Sequence, residues 1–278
     1  MKRLVKSFVV GLCVCAAYGH ARALPRVASL NLCTDQLVLE LAQPEQIVGL
    51  TPLSRDCWSA VLCQQAQHVP VFRPTAENVV AAHPDIVLGG VYTAAVAMQA
   101  ARETGAQVIA IPPAKSLADI PAQIMQVARA LGVPERGQES VARFEKRLAA
   151  LSVMRAKTDP VAAVYAANGF VSHAGTLPDD VLAHAGFQNY ATVMHNRMSA
   201  HFPIELMVAY PPDLLLLDRS GQGTSLAQSL LDHPALKEAF AGKRHLDIPA
   251  RLWLCGLPQT LESIAMLRAA RRALRPTP

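Results

Sequence analysis

The chain has 278 residues, of which 51% are hydrophobic and 17% are charged, and its formal net charge is +5. Four of its 26 lysines and arginines lie in the first 23 residues, which contain no acid, so the remainder has 22 bases, 21 acids and a charge of +1. A nucleic-acid-binding protein needs a clustered basic surface to displace counterions from phosphates, and neither this balance nor any Lys/Arg run provides one. Nucleic-acid partners are therefore not expected.

Residues 1–23 have the pattern of a secretory signal peptide. A basic end precedes an apolar run at 8–17, and Ala21 and Ala23 supply small residues at both positions before a cleavage site. The apolar run has about ten residues, about half of what a helix needs to cross a bilayer. Neither cysteine in this segment follows the small residue that lipid attachment requires. We therefore expect a free periplasmic protein that is exported through a cleavable signal peptide and starts near Leu24.

Residues 24–133 alternate short β-branched runs with amphipathic segments, which is the pattern of a mostly parallel sheet covered by helices. The predicted strands are 26–30, 46–50, 85–88 and 107–111, and the predicted helices lie near 34–42, 75–82 and 93–104. The same alternation returns over 159–278, with strands at 161–166, 214–217 and 244–248 and helices near 178–185, 225–240 and 257–275. Each of the two segments is therefore predicted to form one α/β lobe.

Residues 134–158, between these segments, carry no strand signal. Phe144 and Leu148 belong to an apolar stripe that recurs at intervals of three and four residues, which predicts one helix over 135–157. At 1.5 Å per residue such a helix is about 33 Å long, about the width of a small lobe. An ordinary surface helix has the same pattern, but no Gly/Pro/Ser-rich linker separates the halves elsewhere. The predicted fold class is therefore α/β, with two Rossmann-like lobes joined by one long backbone helix.

Two twelve-residue segments, 77–88 and 205–216, align without gaps and are identical at six positions. Each begins with a glutamate in the first turn of a predicted helix, passes through Pro-Asp and enters an apolar strand. One such glutamate favours its helix by roughly a few tenths of a kcal/mol and needs no other role. At matching positions of two lobes, however, Glu77 and Glu205 form a symmetric acidic pair, which suits docking onto a two-fold membrane partner that carries arginines.

Four cysteines follow the signal peptide, an even number in a compartment where disulfides persist, and three pairings are open. Cys57 with Cys63 is the easiest closure, with an expected stabilisation of roughly 2 kcal/mol through restriction of the unfolded chain. Their spacing is not the C-x-x-C of zinc or redox sites. For Cys33 and Cys255, a disulfide, two thiols and a contact with ligand all remain open.

The chain resembles the periplasmic binding proteins with a helical backbone, the group that serves importers of ferric siderophores, haem and cobalamin. The resemblance covers nearly the whole chain after residue 23 and rests on the order and spacing of segments 26–30, 47–50, 77–88, 105–111 and 205–216. It implies a ligand in the cleft between the lobes, contacts of Glu77 and Glu205 with arginines of an ABC transporter permease, and binding without catalysis or cofactor. A monomer is expected. Segments 31–37 and 251–256 are also similar to a proteobacterial branch of the group.

In parallel sheets of this kind ligands bind beyond the carboxyl ends of the strands, so the candidate ligand-binding residues lie in the loops that follow strands. They are Asn31, Cys33, Thr34, Arg55, Trp58, Tyr92, Asn168, Phe170, Arg197, Arg219, Arg251 and Trp253. The four aromatic residues offer flat apolar faces, and the four arginines offer forked donors to carboxylates or other oxyanions. For each residue alone, a packing role at the rim or a solvated surface position is equally common.

These residues predict the capture of a metal chelate and leave two ligand classes open. The arginines favour an anionic ferric siderophore, whereas the tryptophans suit the face of a corrin or porphyrin, as in cobalamin or haem. A naked metal ion needs several converging ligands, and only His195 falls in a plausible cleft segment, where a lone histidine is more often structural. We therefore expect no metal site.

Two other functions fit an exported α/β protein, a hydrolase and an envelope adaptor without ligand. Ser172 and His173 are adjacent and point apart, and no G-x-S-x-G sequence exposes a serine nucleophile. The glycine-containing stretch 220–225 lacks the lysine of a phosphate-binding loop. An adaptor has no need of aromatic residues in a cleft. The sequence therefore favours a non-enzymatic solute-binding protein that delivers its ligand to an ABC importer.

Overall fold

The computed structural model describes residues 24–93, 95–154, 156–194, 201–219 and 225–274. The first half contains β1 (Val27–Ser29), α1 (Leu32–Leu41), β2 (Ile47–Gly49), α2 (Cys63–Ala66), α3 (Ala76–Ala82), β3 (Ile86–Gly90), α4 (Ala95–Glu103), β4 (Gln107–Ile111) and α5 (Asp119–Ala130). The long helix α6 (Pro134–Leu151) follows. The second half contains β5 (Val161–Ala166), α7 (Leu177–Ala185), β6 (Gln188–Asn189), α8 (Tyr190–Val193), α9 (Ile204–Ala209), β7 (Leu214–Arg219), α10 (Leu226–Ser229), α11 (Pro234–Ala239), β8 (His245–Pro249) and α12 (Leu261–Leu274).

Each half forms one four-stranded parallel sheet. The strand order is β2-β1-β3-β4 in the first sheet and β6-β5-β7-β8 in the second. The two orders are equivalent, since the first, second, third and fourth strands of each half take the same places. The predicted fold class is confirmed: two α/β lobes, called the N-lobe and the C-lobe below, with the long helix between them in sequence.

The repeated Pro-Asp pair has the same structural role in both lobes. Asp85 Oδ2 accepts a hydrogen bond of 2.7 Å from the backbone N–H of Arg26, at the start of β1. Asp213 Oδ2 accepts a hydrogen bond of 2.7 Å from the backbone N–H of Val161, at the start of β5. Each aspartate thus connects the third strand of its lobe to the first strand, at the point where their parallel pairing begins. The internal sequence similarity therefore marks a repeated structural unit.

The long helix is shorter than predicted. It ends at Leu151 instead of 157, and its 18 residues extend about 27 Å. Ser152 leaves the helix with an extended backbone, and its hydroxyl group donates to the carbonyl oxygen of Leu148 at 2.8 Å. The described residues between Ser152 and β5 are not helical. The apolar periodicity stops at Leu151, and the helix ends at the same residue.

Further elements also differ from the predictions. The predicted helix at 225–240 is two short helices, α10 and α11, because Pro234 lacks the backbone N–H that a continuous helix needs. Helix α5 was not assigned from the sequence, although it buries Ile120, Ile124 and Val127 on one face. Strand β6 and helix α8 are additions of two and four residues, too short for a periodic pattern to show.

One hydrophobic cluster extends through both lobes. It joins Leu88 of the N-lobe sheet, Phe144 of α6 and Leu216 of the C-lobe sheet, and it includes Leu261 at the start of α12. The lobes therefore share buried surface besides the α6 connection, which limits how far they can separate. Within the described parts of the chain we find no helix with the length and hydrophobicity that a bilayer-spanning segment requires.

Candidate ligand-binding cleft

Loops that follow strands bring the two lobes together. Arg251, after β8, donates from Nη1 to the carbonyl oxygen of Cys57, in the loop after β2, at 3.3 Å. Cys255, further along the same segment, is joined by a disulfide to Cys33 at the start of α1. Because parallel strands of one sheet end at the same edge, these contacts place the carboxyl edges of the two sheets at a common cleft.

A pocket of about 170 Å³ lies at this junction. Its N-lobe wall includes Asn31, Thr34 and Tyr92, and its other wall is formed by residues 254–256. The Thr34 hydroxyl is already engaged, since it lies 2.8 Å from Ser29 Oγ. Sites for drug-sized ligands have volumes of about 300–1,000 Å³, so this pocket alone is smaller than a site that encloses a whole ligand of that size.

The first turns of α1 hold the loops around the pocket. Asn31 caps the helix, because its Oδ1 accepts from the backbone N–H of Cys33 at 2.9 Å. Asn31 Nδ2 also donates to Thr93 Oγ1 at 3.1 Å, which fixes the loop after β3. Gln36 Oε1 accepts from the backbone N–H of Leu62 at 2.7 Å. Asn31 therefore has a positioning role in the cleft beside its predicted place in the lining.

Asp35 is a buried carboxyl group that anchors the loop after β2. Its Oδ2 accepts from the backbone N–H of Thr51 at 3.2 Å and from the Thr51 hydroxyl. Burial raises the pKa of Asp35 to about 7, although hydrogen bonds from Ser29 and Thr51 oppose the rise. Together with Gln36, Asp35 holds both ends of the loop that carries Trp58. Asp35 and Gln36 are not among the predicted ligand-binding residues, because nothing local marks them as buried.

Two disulfides are present among the described residues, Cys33–Cys255 and Cys57–Cys63. Cys57–Cys63 is the short closure that the spacing favours. For Cys33 and Cys255 the sequence leaves a disulfide, two free thiols or a contact with ligand open. In the structure they form a disulfide with each other, 222 residues apart in sequence. Both line the pocket, so any contact of Cys33 with a ligand involves a disulfide sulfur and not a thiol.

Three of the four predicted aromatic residues present exposed rings at the strand ends, and the fourth does not. Tyr92, Trp58 and Phe170 are 90%, 41% and 43% exposed. Trp253 is only 4% exposed, because it belongs to the hydrophobic cluster that joins the lobes. The prediction that Trp253 offers a flat face to a ligand is therefore wrong.

Trp253 lies instead near a partly buried acid, Asp218, at the end of β7. Burial raises the pKa of Asp218 to about 6, and the Trp253 indole opposes part of this rise. Neither the indole N–H nor Asp218 Oδ1 completes a hydrogen bond within the described residues. The contact is therefore an electrostatic approach without full hydrogen-bond geometry.

Phe170 is accompanied by His201, which was not identified from the sequence. Their ring centroids lie 3.9 Å apart with a tilt of 43°, and an isolated antiparallel bridge joins the two backbones. His201 Nδ1 lies 3.1 Å from the carbonyl oxygen of Asn168 in a hydrogen bond. Asn168 is exposed and has a φ of 58°, a left-handed conformation that asparagine tolerates. Because the contact joins segments that are distant in sequence, no local pattern reveals His201.

Two of the predicted arginine donors are occupied by protein partners. The Arg55 guanidinium donates to the carbonyl oxygens of Ala66, at the end of α2, and of Val69, just after it, at 3.1 and 2.9 Å. Arg219 forms ion pairs with Asp232 at 3.2 Å and with Asp247 at 3.1 Å. Arg251 uses one N–H on the contact between the lobes. The expectation that Arg55 and Arg219 offer forked donors to an anionic ligand is therefore corrected.

No metal cluster is found in the part of the chain that the structure describes: no group of three or more His, Cys, Asp or Glu side chains there is arranged to hold a metal ion. The candidates His195 and Arg197 lie outside the described residues. The described cleft therefore exposes aromatic faces and a phenol hydroxyl group, with few uncommitted charges.

Glu77 and Glu205 take equivalent positions in the two lobes. Each is exposed and is the second residue of a helix, α3 or α9, that precedes the third strand of its lobe. The Glu77 carboxylate accepts hydrogen bonds from the backbone N–H of Glu77 and from the Thr75 side chain, and these lower the pKa of Glu77. Burial, and then the charge of Glu205, raise the pKa of Tyr165 to about 12. The repeat therefore places one exposed carboxyl group at the same point of each lobe.

Known proteins share this architecture. The family model described as "Periplasmic binding protein" matches residues 27–246. Similar solved structures include the periplasmic heme-binding protein RhuT from Roseiflexus sp. RS-1, with 24% identity, a TM-score of 0.72 and coverage of 91% of this chain and 99% of that chain. The periplasmic heme-binding protein HutB of Vibrio cholerae has 18% identity, a TM-score of 0.70 and coverage of 88% and 98%. A periplasmic heme-binding protein from Pseudomonas aeruginosa has 23% identity, a TM-score of 0.66 and coverage of 92% and 94%. No curated protein matches the sequence.

Proposed function

The chain belongs to the periplasmic binding protein family, and from this premise we propose that it captures a haem-type tetrapyrrole between its lobes and delivers it to a permease. The family comprises solute-binding components of ABC transporters, which bind a small ligand and do not catalyse a reaction. A hydrolase and a ligand-free adaptor are therefore no longer candidates for the function of this chain.

One observation carries the choice of ligand class: the cleft exposes aromatic rings, whereas two of its arginines are occupied. Tyr92, Trp58 and Phe170 offer the flat apolar faces that a porphyrin needs. An anionic siderophore needs uncommitted cationic donors, and Arg55 and Arg219 do not supply them. The likeness to RhuT and HutB, which are haem-binding proteins, supports the same class.

Tyr92 is the residue that we propose as the ligand of the haem iron. It is the most exposed of the three aromatic residues, and Asn31 fixes its loop through Thr93. A tyrosine phenolate is one of the axial ligands that proteins use for haem iron. Tyr92 also lines the pocket, which gives an edge substituent of the tetrapyrrole a place beside the iron ligand.

Titration with hemin, cobalamin and a panel of ferric siderophores tests this ligand class, with absorption spectroscopy as the readout. Hemin should bind with a saturable shift of its main absorption band. Tyr92→Phe keeps the ring but removes the phenolate, so it should weaken hemin binding at least about tenfold, which corresponds to about 1.4 kcal/mol. Tyr210→Phe is the matched control, since Tyr210 is exposed but precedes β7 at the opposite edge of its sheet.

Two outcomes would count against the proposal. Saturable binding of a siderophore or cobalamin, without binding of hemin, would assign the cleft to another ligand class. Equal hemin affinity of the wild type and Tyr92→Phe would remove Tyr92 as the iron ligand.

Delivery is proposed to depend on Glu77 and Glu205 as contacts for arginines of the permease. Replacing both with arginine should abolish uptake in cells, because like charges would then meet at the interface. Ligand affinity of the purified protein should stay unchanged, since both acids are exposed and lie before the third strands, away from the cleft. Glu139→Arg/Glu262→Arg, at exposed acids of α6 and α12, is the control that changes the net charge equally and should retain uptake.

We also propose that residues 1–23 are removed on export and that the mature protein works as a monomer in the periplasm. N-terminal sequencing of protein from a periplasmic fraction should begin near Leu24, and light scattering should give the mass of one chain. A protein that retains the basic N-terminal end, or that stays in the cytoplasm, would contradict the export proposal.

A further inference from the structure

A segment after β8 crosses from the C-lobe to the N-lobe. We call residues 250–260 the strap; they follow β8 and lead to α12. Besides the Arg251 contact described above, Gln259 Nε2 donates to Glu40 Oε2 of α1 at 3.3 Å. A Cβ added at Gly256 would overlap the side chain of Ala114, so the strap backbone lies directly on the residues after β4. The strap is therefore a connection between the lobes in addition to α6.

The strap also forms one wall of the ligand pocket. Residues 254–256 face Asn31, Thr34 and Tyr92 across it. The disulfide from Cys255 of the strap to Cys33 of α1 is part of this wall. Any movement of the strap away from α1 therefore changes the width of the pocket.

The polar contacts that attach the strap to the N-lobe are long. The hydrogen bonds of Arg251 and Gln259 both measure 3.3 Å, whereas N–H···O bonds in proteins are most often about 2.9–3.0 Å. Both are also at least partly open to solvent, which weakens them further. The disulfide, by contrast, ties the strap to α1 covalently at the pocket itself.

We propose that Cys33–Cys255 is a positioning disulfide, which holds the strap against α1, keeps the pocket wall in place and slows the release of the bound ligand. The inference rests on the proposed function for the identity of the ligand. Loss of the disulfide removes the covalent tie of the strap at the pocket. Helix α6 and the shared hydrophobic cluster, which includes Leu252, Trp253 and Leu257 of the strap, keep the two lobes folded against each other.

Hydrogen–deuterium exchange of the ligand-free protein tests the positioning. In Cys33→Ser/Cys255→Ser the backbone amides of 253–257 and of the neighbouring loop 91–93 should exchange at least about tenfold faster than in the wild type. Gly186→Ala is the control for a general loss of stability. Gly186 has a φ of +80° after α7, and an added Cβ would meet Val153 at 2.7 Å, at the far end of α12 from the strap. Gly186→Ala should melt at a lower temperature without selective acceleration in the strap, and unchanged strap exchange in the double variant would overturn the inference.

Dissociation of hemin into an excess of apomyoglobin tests the consequence for binding. The rate should rise about tenfold in Cys33→Ser/Cys255→Ser, because affinity differences within one site arise mostly in the dissociation rate. It should stay at the wild-type value in Gly186→Ala. Faster exchange in the strap without faster dissociation would overturn the inference. If the wild type does not bind hemin, the proposed ligand is refuted, and the exchange measurement alone then decides whether the disulfide positions the pocket wall.

A chemical route covers the case in which the double serine variant does not fold. In folded Cys57→Ser/Cys63→Ser protein, a water-soluble phosphine reduces Cys33–Cys255: the S–S bond breaks, two thiols form, and the phosphine becomes its oxide with oxygen from water. Exchange and hemin dissociation are then compared before and after reduction of the same sample. Equal values before and after would overturn the inference.

Discussion

The buried carboxyl group of Asp35 makes the stability of the protein depend on pH in a specific window. Its pKa in the folded protein is about 7, whereas its ordinary value is 3.8. Between these values the folded protein keeps the proton that the unfolded chain has released. The free energy of unfolding therefore falls as pH rises from about 4 to about 7, and the contribution of Asp35 levels off by about pH 8.

The size of the effect follows from the two pKa values. One pKa unit corresponds to about 1.4 kcal/mol, so the total loss attributable to Asp35 is about 4 kcal/mol as an upper estimate. About 1 kcal/mol of it falls between pH 6 and pH 7, and about 2 kcal/mol between pH 5 and pH 7. Asp218, with its pKa raised to about 6, acts in the same direction but completes most of its change below pH 6.

Asp35→Asn tests this reasoning, because an amide stays neutral at every pH and still offers an acceptor to the backbone N–H of Thr51. Urea unfolding followed by tryptophan fluorescence at pH 5, 6, 7 and 8 gives the free energy of unfolding of variant and wild type. The variant should gain on the wild type by about 2 kcal/mol from pH 5 to pH 7 and change little beyond pH 8.

Asp119→Asn is the control with the opposite sign. Hydrogen bonds from the backbone N–H groups of Lys115 and Ser116 lower the pKa of Asp119. Its contribution to stability is present above about pH 4 and is lost as pH falls through the lowered pKa. The difference between Asp119→Asn and the wild type should therefore be constant from pH 5 to pH 8. A difference between Asp35→Asn and the wild type that is equally constant would refute the assignment of Asp35 as the group that titrates near neutral pH.

Three further substitutions have calculable effects on stability, each measured by chemical denaturation. Cys33→Ser/Cys255→Ser opens a closed loop of 222 residues and should lower the free energy of unfolding by about 5 kcal/mol on the chain-entropy relation, and a loss below about 2 kcal/mol would contradict it. Gly137→Ala should destabilise by about 1 kcal/mol or more despite the higher helix propensity of alanine, because the added Cβ would lie 2.5 Å from a methyl group of α5; a gain in stability would show that α5 and α6 adjust freely. Asp213→Ala removes the acceptor of the Val161 backbone N–H and should cost about 1 kcal/mol, with no cost expected if water replaces the carboxylate fully.

The sheets could be predicted because their strands are short apolar runs that the chain carries locally. The strands at 107–111 and 161–166 match the structure at both ends, and the other predicted strands agree within two residues. Helix α5 also has a local signal, since Ile120, Ile124 and Val127 follow the helical period, although the predicted elements do not include it. The disulfide Cys33–Cys255 could not be derived, because four cysteines permit three pairings and spacing favours only the short one.

The cleft residues were predicted by position but not by role. Ligands of parallel sheets bind beyond the carboxyl ends of the strands, and this rule predicts positions near strand ends for Arg55, Arg219 and Trp253. The structure places all three near strand ends. Whether a side chain there meets a ligand depends on its partners, and these are distant in sequence: Arg219 pairs with Asp232 and Asp247. A sequence shows which side chains are available at the strand ends, and the fold decides which of them are already bound.

The two faces of the molecule differ in how well they preserve the internal repeat. On the side where helices lead into the third strands, the repeat is retained down to individual residues, with Glu77 and Glu205 at matching positions and Asp85 and Asp213 making the same hydrogen bond. On the cleft side the repeat is lost: β1 is followed almost directly by α1 with its capping Asn31, whereas a loop over residues 167–176 separates β5 from α7.

The proposed function accounts for this difference through the symmetry of the two partners. A permease with two-fold symmetry presents the same surface to each lobe and favours equal contacts. An unsymmetrical pocket, with the strap and α1 on one side, instead holds a ligand in one orientation, because each side of the ligand meets different groups. The proposed function therefore requires that the repeat is retained on the side that carries Glu77 and Glu205, which we call the docking face. It also requires that the repeat is lost in the cleft. If uptake depended on only one of the two glutamates, the docking face would be as unsymmetrical as the cleft, and the repeat would have to be explained by folding alone.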